Sequence, residues 1–404
     1  MSDDILINLS KSEMYQHQWH LHGCDENGLP NFCSIHAEKA WHVLGHYGDN
    51  QVTIGFADDG CLLSAIDSRD GKFASAAFLE NGRLISGETE SVKERMFIPG
   101  YRHGTALAGL MAAPLSSLMP VGVAPGCRLL PVRWEFNKGF HITQDGFRRI
   151  LSFLSDKIDV FVNTWARLPS MIMDDETLRM IQMLSRTGGR RGRGILFVWA
   201  AGNSGCPIHH TSDESVVWDG YVNSEGHLHD IKKAYQFTHS LIGNKNVLLV
   251  GAVNCHGQRA HYSCYGTGLS VCAPSNNRHC FGANLYLDKG LTTCSADESG
   301  FTHNFKGTSG AAALVGGVAA LVISANPGLD ATQVSTIIKN SASKSLNLCP
   351  YPVTSFTSAG TPSVVIEDAP VFPFHNGNFD VTGWSPWFGY GLVNAEVAVK
   401  KARL

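Results

Sequence analysis

Four stretches of the chain hold continuous rather than alternating runs of apolar residues: QVTIGFADDG (residues 51–60), DVFVNTWA (159–166), GILFVWAAGN (194–203) and NVLLVGAV (246–253). A strand with one wet face alternates apolar and polar positions, so continuous runs of this length predict strands covered on both faces, as in a parallel sheet. Between them, HGTALAGLMAA (103–113) and ITQDGFRRILSFLSDK (142–157) follow helical spacing, and strand and helix therefore alternate. That order predicts the α/β class. FKGTSGAAALVGGVAALVISANP (305–327) predicts one more helix, almost without charge and rich in glycine and alanine. No internal repeat or proline-rich linker divides the sequence. A single domain over 1–404 is expected, with an N-terminal extension to about residue 45 and irregular loops at about 206–245 and 345–385, where glycine, proline, histidine and serine cluster.

Composition narrows the partners. With 44% hydrophobic and 17% charged residues the chain has a core to fill, and a net charge of −3 gives no basic excess for nucleic acid or an anionic membrane. The opening MSDDILINLSKSEMYQHQWHLHG lacks the apolar segment of a secretory leader, and no stretch runs 18 consecutive apolar residues. Eleven cysteines without a C-x-x-C pair read as reduced thiols in a cytoplasmic protein, a mature secreted form being the alternative. RTGGRRGRG (186–194), the one basic concentration, reads as a solvated loop before a strand.

Chemistry enters with Ser309. A serine opening a helix is commonly a cap. Here Ala311, Ala312, Ala313, Gly316, Gly317 and Ala320 let the helix behind it approach neighbouring backbone closely, and first-turn N–H groups lie beside the hydroxyl, where they can stabilise developing negative charge. A serine nucleophile needs a base, and the base an orienting carboxylate. His103 begins a second small-residue helix, and Asp58 ends a predicted central strand at the carboxyl edge, where sites form in open α/β sheets. Taken singly, His103 also fits a structural role and Asp58 or Asp59 a turn.

Together these segments resemble the subtilase family of serine proteases, in which aspartate, histidine and serine follow in that order. FADDG, HGTALAG and GTSGAAALVGGVAAL look like its three catalytic motifs, GVAPGCRLLPVRW like the segment after the histidine helix, and FVWAAGNSG supplies Asn203 as an oxyanion donor. The resemblance implies a three-layer α/β/α fold with a mostly parallel central sheet, and a catalytic set of Asp58, His103, Ser309 and Asn203. It implies a protein or peptide substrate lying extended between Thr164, Trp165 and Ala166 on one side and Ala200, Ala201 and Gly202 on the other. Within the family, DDG, the tryptophans of NTWA and FVWAAGN, WDGYVNS (218–224) and GYGLVNAEVAV are similar to the kexin and furin branch. That branch implies Asp219 as the acid for an arginine or lysine before the scissile bond, with Asp59 serving the neighbouring subsite.

Several positions depart from the branch. Arg167 and Pro169 stand where convertases carry acids, while Asp174 and Asp175 come later. No cofactor is required for the chemistry. The family's structural calcium site near the histidine helix keeps Asp67, but its partner positions are Ser12, Ser116 and Ser117; Asp213 and Glu214 are candidates for a second calcium site. Ala313 replaces the usual proline of the serine motif. Neither a propeptide domain nor a C-terminal β-rich domain is expected, which calls for another brake, such as an inhibitory or activating protein partner. Peptide ligation through the same acyl-enzyme, and a catalytically silent binding module, are the competing functions.

Overall fold

The computed structural model describes residues 9, 12–24, 33–67, 71–87, 90–134, 142–282, 288–360 and 364–404. Parts of the expected N-terminal extension, 1–8, 10–11 and 25–32, therefore lie outside the described residues, as do 361–363 of the second loop region.

The four continuous apolar runs become β1 (Thr53–Asp58), β5 (Val160–Asn163), β7 (Leu196–Ala200) and β10 (Val247–Val253), each buried along its whole length. They are joined by β2 (Ala76–Glu80), β3 (Arg83–Gly87), β4 (Arg128–Arg133) and β11 (Leu269–Pro274) in an eight-stranded sheet of order β11-β10-β7-β5-β1-β4-β2-β3. Every pairing is parallel except β2 with β3 at the edge. Because strand side chains alternate between faces, each apolar run feeds two cores. On β5, Val160 and Val162 join one core with Leu107, Met111 and the helix Gly307–Ala325, while Phe161 joins another with Phe147, Ile150 and Trp199. Helices thus cover both faces, giving the mixed α/β fold with three layers and a mostly parallel centre.

The helix Gly307–Ala325 crosses the middle of one face. It is long and apolar enough to cross a membrane, but 94% of that apolar window is buried inside the protein, which accounts for its composition. Its two central glycines are steric necessities: a Cβ on Gly316 would stand 2.4 Å from Val162 Cγ2, and one on Gly317 2.5 Å from Val123 Cβ.

The region 206–245 is not an irregular loop. It forms a long antiparallel hairpin, β8 (His210–Val222) with β9 (Leu228–His239), to which β6 (Ser170–Met171) adds a short third strand. Its glycine, serine and histidine content hid the strands because most of β8 is exposed or half-buried, so the pairing rests on main-chain hydrogen bonds and β-branched residues rather than on an apolar face. The region 345–385 is largely irregular, with one short pair, β14 (Ser355–Thr357) and β15 (Val365–Glu367); a last pair, β12 (Leu291–Cys294) and β13 (Phe301–Phe305), leads into the serine helix. In the basic stretch, Arg191 Nε donates to the buried Asp159 Oδ1 at 2.7 Å and its Nη1 to the carbonyls of Pro327 and Leu329, so it is a structural tie.

Replacing Gly316 by Val should force the serine helix off β5. Overpacking of this kind costs about 1–3 kcal/mol, read as a lower urea midpoint at unchanged slope; an unchanged midpoint would show that the helix has room to spare.

Candidate active site

Asp58 is the last residue of β1 and His103 the first of the helix His103–Ala112. The two elements meet closely because Gly104 has no side chain: a Cβ there would lie 2.0 Å from the carbonyl oxygen of Gly60. His103 Nδ1 and Asp58 Oδ1 are 2.8 Å apart, the Asp58 side chain being nearly buried while His103 keeps 38% of its side chain exposed. The other carboxylate oxygen accepts from Thr164 Oγ1 at 2.6 Å, and the Asp59 N–H donates to Oδ1 at 2.8 Å. Burial pushes the Asp58 carboxyl up, but the charge and hydrogen bond of His103, then Thr164 and the Asp59 N–H, pull it down, leaving it below its ordinary value. For His103 burial pulls down, Asp58 outweighs it, and the imidazole lies above 6.5.

Ser309 is the third residue of the helix Gly307–Ala325, whose N-cap position is Lys306. It is therefore no cap. Its Oγ donates to the Thr164 main-chain carbonyl at 3.3 Å, while the separate Thr164 hydroxyl donates to Asp58, which holds His103. The His103 ring packs against Phe305, four residues before Ser309, at 5.3 Å between centroids. Among the described residues no hydrogen bond joins Ser309 to His103: the hydroxyl must leave the Thr164 carbonyl to reach the imidazole, and such bonds commonly tighten only with substrate.

Asn203 Oδ1 accepts from both the N–H and the Oγ1 of Thr308, at 2.8 and 2.9 Å. A main-chain N–H can only donate, so this contact fixes the oxygen end and turns the amide nitrogen the other way. The Thr308 Oγ1 also accepts from the Gly202 N–H. At the helix start the Gly307 N–H goes to Tyr262 Oη and the Thr308 N–H to Asn203, while first-turn geometry gives the Ser309 N–H no acceptor within the helix. Gly307 holds φ +85°, a conformation that favours glycine, and its missing Cβ would crowd the Asn203 amide at 3.2 Å.

Thr308 and the side chain of Thr164 are the functional groups that the sequence reading missed as positioning residues. Their signal was present, a threonine directly before the serine and another just after a buried strand, but a threonine's partner is not visible until the chain folds.

Other expected residues are placed differently. Asp59 accepts from the His103 and Gly104 N–H groups at 3.0 and 2.7 Å, so it caps the histidine helix, a role typically worth about 1 kcal/mol. Burial and the neighbouring Asp58 charge push its carboxyl up to about 6. Asp219 lies on β8 and pairs with Lys232 of β9 at 2.6 Å. Asp174 caps the helix Asp175–Thr187 and pairs with Arg148 at 2.7 Å. Along the proposed substrate track the Trp165 carbonyl accepts from Trp199 Nε1, the Ala201 N–H donates to Val250 and the Gly202 carbonyl accepts from Cys264; Ala200 pairs with β10 opposite Val250, and Ala166 is half-buried beside the exposed Arg167.

The calcium candidates do not assemble. Among the described residues, Asp67, Asp213 and Glu214 belong to neither group of three or more ligand side chains. Asp213 and Glu214 are consecutive exposed residues of β8, in the stretch where its register with β9 shifts. At the site near the histidine helix, Ser12 Oγ donates directly to the Ser117 carbonyl at 2.7 Å, while Ser116 Oγ accepts from Leu118 and Met119 N–H groups. A hard cation needs six to eight oxygens, and in this structure the Ser12 and Ser116 hydroxyls are engaged with main-chain groups.

Because Asp58 favours the imidazolium, His103 keeps its proton past pH 6.5 and the neutral base accumulates only above its raised value. Histidine NMR titration should find it there, and Asp58→Asn should move the midpoint down; a midpoint at or below 6.5 in the parent would contradict the coupling.

A family model, the subtilase family, matches residues 49–391. The calcium-dependent protease of Trichormus variabilis is 26% identical over 423 residues, covering 99% of this chain and 53% of that protein. The dibasic-processing endoprotease of Yarrowia lipolytica is 25% identical over 326 residues, 77% of this chain and 28% of that one. Among solved structures, the Aeromonas sobria serine protease in complex with its chaperone superposes with a TM-score of 0.68 at 19% identity, over 97% of this chain and 67% of that chain. The chain thus spans about half the length of the calcium-dependent relative, and relatives of both descriptions match at similar identity, which resolves the family but not the kexin and furin branch. The matched segment runs from before the strand that ends in Asp58 to beyond the helix that carries Ser309, and the chain belongs to the subtilase family.

Proposed function

We propose that this chain is a serine endopeptidase that hydrolyses peptide bonds through an acyl-enzyme. The observation that carries the reading is the 2.8 Å contact of His103 with the buried Asp58, with Thr164 bonded to Asp58 through its hydroxyl and to Ser309 through its carbonyl, and the Asn203 amide turned by Thr308. In this mechanism the Ser309 hydroxyl turns to His103, gives up its proton as it attacks the carbonyl carbon, and leaves the oxyanion to the Asn203 amide and the Ser309 N–H. Asp58 holds the imidazole with its protonated nitrogen inward and stabilises the imidazolium. His103 then protonates the leaving amine, and water repeats the sequence in reverse to free the acid. The chemistry is carried by side chains of the chain itself. Calcium, named in the Trichormus relative, would act on the fold rather than on the chemistry.

Preference for arginine or lysine before the scissile bond is the finer part of the reading. The WDG motif and the dibasic-processing relative support it; the pairing of Asp219 with Lys232 weighs against it. For Asp219 to meet a basic side chain, the substrate must displace Lys232, so the lysine acts as its competitor. The cavity beside Trp165, of about 170 Å³ and lined by Phe147, Trp165, Met171 and Met173 with Arg167, supports an apolar residue further along the substrate. Transfer of the acyl group to an amine would make the enzyme a ligase, which product mass separates from hydrolysis by one water. A protein partner is supported by the chaperone bound to the Aeromonas protease, and work in a reducing compartment by a content of eleven cysteines without a C-x-x-C pair.

Ser309→Ala should abolish labelling by a fluorophosphonate probe, and Asn203→Ala should lower kcat on the order of 10²–10³-fold with little change in KM; full labelling of the serine variant would remove Ser309 from the mechanism. Lys232→Ala should raise kcat/KM for arginine substrates and Asp219→Asn lower it, with leucine substrates unaffected. Arginine cleavage indifferent to both changes would detach specificity from Asp219.

A further inference from the structure

The sheet edge opposite the catalytic residues holds a cavity that the mechanism does not use. Asn203 follows the carboxyl end of β7, whereas Asn246 directly precedes β10, at the amino ends of the same parallel strands. There the helix Asp175–Thr187, the segment 240–246 and Thr332 of the helix Ala331–Ser341 line an open cavity of about 600 Å³. Its floor is fixed by hydrogen bonds. The buried Asn246 donates from Nδ2 to the Ser185 carbonyl at 2.6 Å and accepts at Oδ1 from Thr332 Oγ1 at 2.9 Å, joining the two helices, and Ser335 Oγ donates to the Lys245 carbonyl at 2.7 Å. A wall braced in this way meets a ligand without first having to be ordered.

The lining is rich in donors and positive charge. On the helix Asp175–Thr187, steps of three and four residues place Arg179, Gln182 and Arg186 on one face, spanning about 10 Å at 1.5 Å per residue. Lys245 joins them from the segment 240–246. Among the described residues none of the three cations forms an ion pair, and Asp175 is the one carboxylate of the lining. The neutral groups have the same character. Asn244 Oδ1 accepts the Asn246 N–H at 3.0 Å and Ser240 Oγ accepts the Met173 N–H at 3.2 Å, so each has an acceptor engaged by the main chain and retains a donor.

We propose that this cavity binds a small polyanion of the linked-phosphate class through Arg179, Arg186 and Lys245. Cations spread over about 10 Å suit several anionic groups in a row better than a single one. The planar arginine forks match pairs of phosphate oxygens, and the lysine adds a compact point charge. A volume of about 600 Å³ is that of a small-molecule site. Leu178 and Ile242, both half-buried, line the same cavity and offer an apolar contact to an organic phosphate.

The site also divides the basic stretch 186–194. Arg191 is the structural tie to Asp159, while Arg186, which opens the stretch, belongs to the cavity. Positive charge there is not offset within the protein. Lys339, half-buried on the helix Ala331–Ser341, holds its proton less firmly than an ordinary lysine, first through burial and then through the charge of Lys245. A bound polyanion supplies the missing negative charge.

The test uses full-length Ser309→Ala protein, titrated calorimetrically with sodium tripolyphosphate at low salt without divalent cations. The expected result is saturable binding at one site, about tenfold or more tighter than inorganic phosphate, with a higher Tm and an affinity that falls as KCl screens the charges. Arg179→Gln and Lys245→Gln should each weaken binding on the order of tenfold. Arg83→Gln, which removes one exposed charge on β3 at the other end of the sheet, should leave it unchanged. Both cavity changes are at exposed side chains, so their urea midpoints without ligand should match the parent. Tighter binding of ATP than of tripolyphosphate assigns the site to an organic phosphate and equal binding to the inorganic chain; either upholds the linked-phosphate site. No saturable binding of tripolyphosphate, binding only of a single-stranded oligonucleotide, or full affinity in both Arg179→Gln and Lys245→Gln overturns the proposal.

Discussion

The close approach of the helix Gly307–Ala325 to its surroundings is the constraint on which the rest of the structure depends. Leu314, Val315, Val318, Leu321 and Val322 are fully buried, and each such side chain contributes about 1.5–3 kcal/mol by leaving water. That burial is available only because Gly316 and Gly317 present no side chain to β5 and to Val123. Wedged in this way, the helix cannot slide, and its first turn is delivered to the carboxyl ends of β1, β5 and β7. Thr308 meets Asn203 and Ser309 meets Thr164 because of where the apolar body of the helix sits. The same steric logic holds the histidine helix, which Gly104 allows to rest against the Gly60 carbonyl.

On that frame, polar groups are distributed so that each neighbouring carboxylate has a separate task. Asp58 and Asp59 are adjacent in sequence yet face different partners: Asp58 takes the imidazole and the Thr164 hydroxyl, Asp59 takes the two N–H groups that open the histidine helix. One sets the proton affinity of the base, the other its position. Burial first and then their mutual repulsion raise the Asp59 carboxyl, and the helix N-terminus, with its partial positive charge, offsets part of it.

The sheet, the three catalytic segments and the serine helix were legible in the sequence because continuous apolar runs and small-residue helices leave a local signature that burial on both sides demands. The hairpin at 210–239 was not. Its strands stand mostly in water, so no apolar period marks them, and their pairing is stored in main-chain bonds that every residue type can make. The present partners of Asp59 and Asp219 were hidden for a related reason. A carboxylate in a motif announces a charge but not which cation or N–H group will reach it, and here a helix terminus and Lys232 arrived first.

By itself, the sequence determined the fold class and the family resemblance, which depend on residue type and local pattern, and the resemblance singled out Asp58, His103, Asn203 and Ser309 as candidates. The tertiary structure decided everything that depends on distance between remote segments. It turned the Asn203 amide with Thr308, 105 residues away, and gathered His261, His279 and Asp368 into one buried cluster although 89 residues separate the last two. Such groupings have no period or spacing along the chain, because they are set by how the layers pack and not by what any one element needs in order to form.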